Sequence, residues 1–365
     1  MNSPEAPPLL IDRRARLGIL TLNRPQALNA LSLDMVRRLA AQLAAWRDDA
    51  GIAAVVLRGA GRPGKAPAFC AGGDIRFFHQ GVLAGDPRVE DFFTEEYALD
   101  HLVHRYPKPV IALLDGVTMG GGMGISQGCA LRVVTEHSRL AMPETHIGLF
   151  PDVGGGWFLS RMAGGLGEYL GLTGHALGAA DALAVGWADI HVPSARLDDL
   201  VRAVAEASES GGAAALAAAR AQATEAGAAP IVAARPVIDR VFALPTLQAI
   251  VDALAAEPGE FAAHAAALVA QRSPLMMAVT LEQIRRARGL GLADDLRLER
   301  GMMRHCFHLR GRASETLEGI RALAVDKDQR PRWQPATVAD VDPAEVAAYF
   351  ASPWPAALHP LRDLA

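Results

Sequence analysis

Short β-branched runs alternate with glycine-rich turns and helical stretches over the first 195 residues of this 365-residue chain. Residues 32–46 carry apolar side chains at helical spacing, and Ser32 is placed to cap that helix. The strand candidates are residues 17–22, 53–58, 110–114 and 131–135. Strands that alternate with helices predict an α/β fold for this part of the chain.

The second half changes character, because residues 197–324 are rich in Ala, Leu and Arg and keep a 3.6-residue apolar period throughout. This pattern predicts a series of helices. Breaks are expected at residues 211–212, 229–230, 245, 258–259, 273–274 and 289–291. We therefore predict two domains: residues 1–195 carrying the functional site, and a helical region over residues 196–365 that serves packing, oligomerisation and active-site cover.

Composition excludes several classes of protein. A hydrophobic fraction of 51% argues against disorder, and a net charge of -4 without a basic block argues against a nucleic-acid partner. No long apolar run indicates a membrane span, and residues 1–16 lack the apolar core of a signal segment. The three scattered cysteines (Cys70, Cys129 and Cys306) fit a reducing compartment. We expect a cytoplasmic protein.

The segment 59–65 (GAGRPGK) follows a strand and mimics a phosphate-binding loop. The Ser or Thr that should follow the lysine is replaced by Ala66, and Pro67 stands where a helix should begin. No GxGxxG motif is present either. A nucleotide site is therefore disfavoured.

Two adjacent glycines, Gly72 and Gly73, precede Asp74 in the segment 68–75 (AFCAGGDI). If Asp74 opens a helix, the N–H groups just before it can bind an anion or a developing oxyanion. A tight turn that uses glycines for positive φ explains the same residues equally well. Spacing alone leaves both interpretations open.

A second glycine run, Gly120, Gly121, Gly122 and Gly124, follows the strand at residues 110–114. Packing alone would require one or two glycines at the start of a helix. The larger number favours a second place where backbone approaches a ligand closely.

Glu144 and Asp152 lie eight positions apart among apolar residues and glycine turns. An apolar setting raises the pKa of a carboxyl group, and two carboxyls in different surroundings can divide acid and base roles. The alternative is that Asp152 caps the following helix while Glu144 is a solvated loop residue. Residue patterns do not decide between the two.

Four segments together resemble the crotonase (enoyl-CoA hydratase/isomerase) superfamily in order and spacing. They are residues 23–25 (NRP), 27–31 (ALNAL), 69–75 (FCAGGDI) and 120–122 (GGG). The resemblance implies a crotonase-type ββα spiral core followed by the extended α-helical region. Members commonly form trimers or hexamers, so a homo-oligomer is expected.

Four further segments resemble the 3-hydroxyisobutyryl-CoA hydrolase branch of that superfamily. They are residues 95–97 (EEY), 142–145 (MPET), 148–156 (GLFPDVGGG) and 326–328 (DKD). The resemblance implies hydrolysis of a small acyl-CoA thioester in valine catabolism. It implies no metal and no cofactor, since coenzyme A enters as part of the substrate.

Site residues follow from the same resemblance. The N–H groups of Gly73 and Gly121 would hold the thioester oxygen, and Glu144 and Asp152 would be the catalytic carboxylates. Hydratases carry a further glutamate where this chain has Gly124, which disfavours hydration. Substrate or CoA contacts are expected from Arg24, Ala27, Leu28, Ala71, Gly72, Asp74, Glu96 and Gly120. Among these, Glu96 is the candidate partner of a substrate hydroxyl, although a charged helix face explains it equally well.

Other chemistry is weaker in this sequence. Cys70 with His146 as base suggests a thiol nucleophile, but a small buried cysteine is commoner. The segment 305–308 (HCFH) lacks paired metal-ligand spacing. Two alternatives remain open: a hydratase or isomerase with its base elsewhere, and a non-catalytic acyl-CoA-binding member of the fold.

Overall fold

A computed structural model describes residues 6–365 of the chain. Residues 1–5, part of the segment over which the sequence predicts no signal, lie outside the described residues. The strands are β1 Leu9–Arg14, β2 Leu17–Leu22, β3 Ala54–Gly59, β4 Ala68–Cys70, β5 Val110–Leu114, β6 Val117–Met119, β7 Leu131–Val134, β8 Arg139–Ala141 and β9 Ile190–His191.

Helices of six to seventeen residues connect and follow these strands. They are α1 Leu33–Arg47, α2 Ile75–Ala84, α3 Arg88–His104, α4 Gly121–Gln127, α5 Gly155–Ser160, α6 Leu166–Thr173, α7 Ala179–Ala184, α8 Leu197–Ser208, α9 Gly212–Arg220, α10 Pro230–Phe242, α11 Leu247–Ala256, α12 Glu260–Val269, α13 Pro274–Ala287, α14 Leu292–Arg304, α15 Glu315–Ile320 and α16 Pro343–Ala348.

Chain contacts divide the molecule into two compact units that interleave along the sequence. Unit 1 comprises residues 1–73, 99–140 and 177–230, and unit 2 comprises residues 74–98, 141–176 and 231–365. The predicted domain boundary after residue 195 lies inside unit 1. The two units do not test that boundary, so it stays a prediction.

Unit 1 is built on a six-stranded sheet in the order β1-β2-β3-β5-β7-β9. Strand β1 pairs antiparallel with β2, and the remaining neighbours are parallel. A smaller sheet has the order β4-β6-β8, and its first two strands are parallel. Parallel strands need helical crossovers, which explains the alternation of strands and helices in the sequence.

The inner strands β2, β3, β5 and β7 of the larger sheet are buried on both faces in unit 1, whereas the edge strand β1 is exposed beyond Leu9. Alternate residues such as Leu17 and Ile19, or Ile111 and Leu113, pack on one face with α8 and α9. Leu20, Leu57 and Val110 belong to the other face, where apolar residues of α1 and of the end of α3 meet them. A sheet covered on both sides explains why its strands read as continuous apolar runs.

The structure confirms the α/β class and most predicted elements. Two predicted strands, 17–22 and 110–114, are found with those bounds, and Ser32 caps α1 by accepting a hydrogen bond from the N–H of Met35. Each predicted helix break after residue 210 falls between two observed helices or at the start of one. No helix in the described part of the chain combines the length and apolar character that a bilayer crossing requires.

Candidate active site

Two glycine turns lie side by side in unit 1, because the parallel strands β4 and β6 deliver them at the same edge of the small sheet. Gly72 follows β4 with a φ of +97°, and a Cβ there would lie 3.3 Å from the Met119 carbonyl oxygen and 3.6 Å from the Gly121 nitrogen. Gly120 follows β6 with a φ of 48° and a ψ of -120°. These approaches and conformations require glycine.

Gly121 is the first residue of α4, so its N–H has no partner inside the helix. The N–H of Gly73 likewise donates no hydrogen bond to residues 6–365, although Gly73 pairs with Leu31 in a short parallel bridge. Gly122 packs so close to β4 that a Cβ would lie 2.4 Å from the Cys70 carbonyl oxygen. The N–H groups of Gly73 and Gly121 therefore lie on two adjoining turns, and their action as donors to a ligand stays a prediction.

Asn29 holds the backbone around the Gly72 turn of unit 1, a role that sequence analysis did not assign to it. Its side chain is fully buried, and its amide donates to the carbonyl oxygens of Ala60, at 3.0 Å, and Ala68, at 2.8 Å. Its oxygen accepts from the N–H of Arg24. Leu28 accepts from the N–H of Ala71, so the predicted contact residues at 24–28 adjoin the Gly72 turn.

The predicted contact residues in this turn differ in exposure. Arg24 is half-buried and donates to the Ala30 carbonyl oxygen, at 2.7 Å, while Ala27 and Leu28 are exposed. Leu28 adopts a left-handed φ of 50°. The exposed pair therefore presents apolar surface at a place where a ligand has access.

Glu144 lies in unit 2, in a 3-10 turn that begins three residues after the end of β8. Its side chain is buried, at 6% exposure, and its Oε2 atom accepts no hydrogen bond from residues 6–365. Burial first, and then the negative charge of Asp152, raise the pKa of Glu144 well above its ordinary value. The prediction of an apolar setting is confirmed, and the alternative of a solvated loop residue is wrong.

Helix α15 supports the turn that carries Glu144. Thr316 donates through its hydroxyl to the Gly148 carbonyl oxygen, at 2.6 Å. Gly148 has a φ of +66°, and a Cβ there would lie 2.3 Å from the Glu315 carbonyl oxygen. Any side chain at 148 would push α15 and the turn apart.

Asp152 is also buried, and it is held by Tyr97 of α3, a residue to which the sequence assigned no role. The Tyr97 hydroxyl donates to Oδ2 of Asp152, at 2.8 Å. Burial raises the pKa of Asp152 to about 7, although the Tyr97 hydrogen bond lowers it in part. A carboxyl group that titrates near neutrality can exchange protons during a reaction.

Asp152 does not cap the helix that follows it, so that alternative is wrong. The N-cap residue of α5 is Gly154, and no side chain at the cap position accepts from the helix. Helix α14 supplies the acceptors instead, because Glu299 accepts from the N–H of Gly154 and of Gly156. Sequence patterns did not indicate this contact, since Glu299 lies 145 residues from Gly154.

Two further predicted residues belong to unit 2. Asp74 opens α2, which is one of the two interpretations that the sequence left open, and it accepts from the N–H of Phe77 at 3.3 Å. Glu96 precedes Tyr97 on α3 and is only 2% exposed. A buried Glu96 removes the alternative of a charged, solvated helix face.

Comparison with known families agrees with this geometry. A family model described as "Enoyl-CoA hydratase/isomerase" matches residues 17–350. The chain belongs to the enoyl-CoA hydratase/isomerase family.

Two similar proteins of this family are named as hydrolases. The chain is 38% identical, over 96% of its length and 91% of the relative, to "3-hydroxyisobutyryl-CoA hydrolase, mitochondrial" of Danio rerio. It is 36% identical, over 94% of its length and 91% of the relative, to "Probable 3-hydroxyisobutyryl-CoA hydrolase 3" of Arabidopsis thaliana.

Among solved structures, a "Carnitinyl-CoA dehydratase" from Mycobacterium thermoresistibile matches with a TM-score of 0.85 and 40% identity, covering 96% of this chain and 98% of the other. An "enoyl-CoA hydratase" from Rhodobacter sphaeroides matches with the same TM-score and 38% identity, covering 95% and 98%. These similarities confirm the crotonase-type core and the additional helical region.

The sequence motifs that suggested other chemistry, the phosphate-loop mimic and the pair of Cys70 with His146, occupy the following positions in the structure. The phosphate-loop mimic leads from β3 into β4 rather than into a helix. Cys70 is buried in β4, and His146 lies 2.5 Å, Nδ1 to Nη1, from Arg272. Burial and that guanidinium lower the pKa of His146.

His305 and His308 contact different groups in this family member. His305 approaches the Ala351 carbonyl oxygen, at 2.9 Å, while His308 approaches Glu90, also at 2.9 Å. Over residues 6–365, no group of three or more His, Cys, Asp or Glu side chains is arranged to hold a metal ion.

Proposed function

We propose that this protein hydrolyses the thioester of 3-hydroxyisobutyryl-CoA to 3-hydroxyisobutyrate and free coenzyme A. The observation that carries the proposal is the similarity, over more than nine-tenths of the chain, to hydrolases of that name. The buried pair Glu144 and Asp152 supports it, because thioester hydrolysis needs groups that move protons in a site shielded from bulk water.

The donors of unit 1 supply the first part of the proposed chemistry. The thioester oxygen accepts from the N–H groups of Gly73 and Gly121 and gains negative charge as the carbonyl carbon is attacked. Fixed donors stabilise that charge more strongly than they stabilise the neutral carbonyl. Loss of one such donor typically lowers kcat by about 10²–10³-fold.

Glu144 supplies the second part, by one of two routes. As a general base it removes a proton from water, the water oxygen attacks the carbonyl carbon, and the C–S bond breaks with the proton passing to the departing thiolate. As a nucleophile its own carboxylate oxygen attacks, giving an anhydride and the coenzyme A thiolate. Water then cleaves the anhydride and restores the Glu144 carboxylate, and the proton that this step releases passes to the thiolate. In both routes Asp152 orients the water, or holds the substrate hydroxyl and assists proton transfer.

Glu96 is the proposed source of selectivity for a hydroxyacyl group. A buried carboxylate that accepts from a substrate hydroxyl discriminates strongly against an analogue that lacks the hydroxyl. Arg24, Ala27 and Leu28 are proposed to contact the coenzyme A portion, and Ala71, Gly72, Asp74 and Gly120 to line the path of the thioester. If Glu96→Ala leaves the preference for hydroxyacyl over plain acyl substrates unchanged from that of the wild-type protein, the assignment to Glu96 fails.

A hydratase is the second candidate, because the two solved structures with TM-scores of 0.85 are named as a hydratase and a dehydratase. Hydration of a double bond uses two acid–base groups in this superfamily. Gly124 occupies the place of the first and has no side chain to supply one. A non-catalytic acyl-CoA-binding protein is disfavoured, since such a protein has no use for a buried ionisable pair.

The proposal also covers cofactors, the metabolic role, the location and the assembly of the protein. Coenzyme A enters with the substrate, and neither a metal nor another cofactor takes part. The reaction would serve valine catabolism in the cytoplasm, although several relatives are named as mitochondrial. The protein is expected to act on a small molecule and to form a homo-oligomer.

The deciding experiment measures free-thiol release from 3-hydroxyisobutyryl-CoA beside hydration of crotonyl-CoA on the same enzyme. Rapid thiol release with negligible hydration supports the hydrolase. Hydration without thiol release refutes it and assigns the protein to the hydratases.

A further inference from the structure

The backbone directly after Asp152 adopts two successive left-handed conformations. Val153 has a φ of 56° and Gly154 a φ of 84°. Left-handed φ is rare for a β-branched residue and costs roughly 1–3 kcal/mol unless the surroundings hold it. Contacts outside the turn must therefore keep Asp152 and its neighbours in place.

Two carboxyl groups from α14 provide those contacts. Glu299 accepts from the N–H of Gly154 through Oε2, at 2.7 Å, and from the N–H of Gly156 through Oε1, at 2.9 Å. Asp295, one helical turn earlier, accepts from the N–H of Trp157 at 2.8 Å. Three N–H groups at the start of α5 thus end on side chains of α14.

Gln283 of α13 extends this arrangement to the other side of Asp152. Its amide nitrogen donates to the Pro151 carbonyl oxygen, at 2.7 Å, and to Oε1 of Glu299, at 3.0 Å. Pro151, through Gln283, and Gly154, directly, are therefore both linked to the carboxylate of Glu299. The Asp152 side chain takes no part in these contacts and instead accepts the hydrogen bond from Tyr97.

The glycine at 156 is explained by the same contacts, whereas Gly155 adjoins Pro151. A Cβ at Gly156 would lie 2.7 Å from Asp295 Oδ1, and one at Gly155 would lie 3.0 Å from the Pro151 side chain. Only glycine lets the α14 carboxyls approach the backbone this closely.

Helix capping alone is a poor explanation for this pair. Both side chains are fully buried, and burial raises the pKa of Asp295 to about 6 and that of Glu299 well above its ordinary value. Two buried acids side by side are costly, whereas one adjacent Asp or Ser caps most helices. The residue close enough to cap α5 is Asp152, whose carboxyl faces Tyr97 instead.

We propose that Glu299 and Asp295 are positioning residues for Asp152, taking over the capping of α5 so that the Asp152 carboxyl group is held at Tyr97 for the reaction. The inference rests on the proposed function for its activity readout. Neither residue touches the substrate in this scheme. Both act through the loop that carries Asp152.

A double-mutant cycle on thiol release tests the inference. Glu299→Gln is expected to lower kcat about 30-fold with KM changed less than about threefold, because displacement of a catalytic group affects turnover more than binding. In an Asp152→Asn background the same change should lower kcat less than about threefold, since the residue it positions is already lost. Equal losses in both backgrounds would overturn the inference.

A matched control separates positioning from general weakening of unit 2. Glu168 is also a buried acid of this unit, but it pairs with Arg288 and makes no contact with residues 151–157 in any hydrogen bond or ion pair of the described chain. Glu168→Gln should lower the thermal midpoint while keeping kcat. If it lowers kcat as much as Glu299→Gln does, the effect is not specific and the inference fails.

Two further arms keep the inference testable. If Glu299→Gln does not fold, Asp295→Asn takes its place in the same cycle with the same expected pattern. If the wild-type enzyme releases no thiol, the proposed function fails, and hydrogen exchange at the amides of residues 154–157 then tests the loop anchoring without turnover. Exchange that is unchanged by Glu299→Gln would overturn the inference.

Discussion

Unit 1 and unit 2 hold their candidate groups by different means. Unit 1 offers backbone N–H groups at Gly73 and Gly121, placed by paired strands and by glycines that no other residue can replace. Unit 2 offers the carboxyl groups of Glu144 and Asp152, placed by hydrogen bonds from helices far away in the sequence. A backbone donor has no protonation state near neutral pH, whereas each carboxyl group has one that burial shifts.

This difference teaches where each kind of group is vulnerable. The donors of unit 1 should respond to changes in shape and remain insensitive to pH. The carboxyls of unit 2 should respond to charge, to pH and to the removal of hydrogen-bond partners. Variants can therefore test the shape of unit 1 and the charges and hydrogen bonds of unit 2 separately.

The largest effect is expected at Glu144. Glu144→Gln keeps the shape of the side chain but removes its ability to take a proton or attack a carbonyl, so thiol release should fall about 10³-fold or more. Binding of the CoA ester, measured by calorimetry, should survive. Turnover near the wild-type rate would remove Glu144 from the mechanism.

The next effect tests shape in unit 1. Gly122→Ala places a Cβ 2.4 Å from the Cys70 carbonyl oxygen, which forces α4 away from β4 and moves the Gly121 donor. We expect kcat to fall about 10²-fold, the scale of losing one oxyanion donor, with an unchanged pH profile. Gly61→Ala is the matched control, because a Cβ at Gly61 meets no atom within 4 Å. Equal activity of the two variants would contradict the role of this turn.

A smaller effect tests charge in unit 2. In the role where Asp152 orients the water it acts as an ionised acceptor. Its pKa of about 7 then places an acidic limb on the profile of kcat/KM against pH, with activity rising as pH rises. Tyr97→Phe removes a hydrogen bond that lowers this pKa, so the limb should move to higher pH. A shift of one unit corresponds to about a tenfold loss of activity on the limb and none on the plateau.

The control for this prediction is Tyr169→Phe, which alters another buried tyrosine of unit 2 that packs against Phe242 and Phe261. Its limb should stay in place. Because Glu144 and Asp152 influence each other, the limb belongs to the pair, and Asp152→Asn should change its shape as well as its position. A profile identical in wild-type and Tyr97→Phe protein would show that the Tyr97 hydrogen bond does not tune the site.

The smallest effects on turnover come from two serines that cap helices, one in each unit. Ser32→Ala removes the cap of α1 and should lower the free energy of unfolding by about 1 kcal/mol without changing kcat. Ser273→Ala removes the cap of α13 and also the hydroxyl that donates to buried Glu315, at 2.6 Å. It should cost roughly 2–3 kcal/mol, because a buried acceptor loses its partner. Denaturant titration measures the free energy of unfolding of both variants. Equal losses in the two variants would contradict the expectation that a capping serine matters more where it also serves a buried carboxyl group.

Sequence reasoning succeeded where the signal is local. The strand at residues 17–22 and the Ser32 cap depend on neighbours within a few positions, and both are confirmed. The glycine turns were also visible, because close approach of backbone leaves no alternative to glycine.

The rest depended on contacts between distant residues. Tyr97 reaches Asp152 across 55 positions, and Glu299 reaches Gly156 across 143. No periodicity or motif links such pairs, so one sequence offered no means of finding them. The same gap explains the incorrect alternative that Asp152 caps α5, since the nearest acid is the natural choice when the distant ones are unknown.

The strand order of the larger sheet bears on how the protein is made. Because β1, β2, β3, β5, β7 and β9 are neighbours in the order of synthesis, each strand that leaves the ribosome can pair with one already present. The face that α8 and α9 cover waits much longer, since those helices end at Ser208 and Arg220. A nascent chain of this protein therefore exposes a growing apolar surface until more than half of it has been translated, which makes that face a natural target for chaperones.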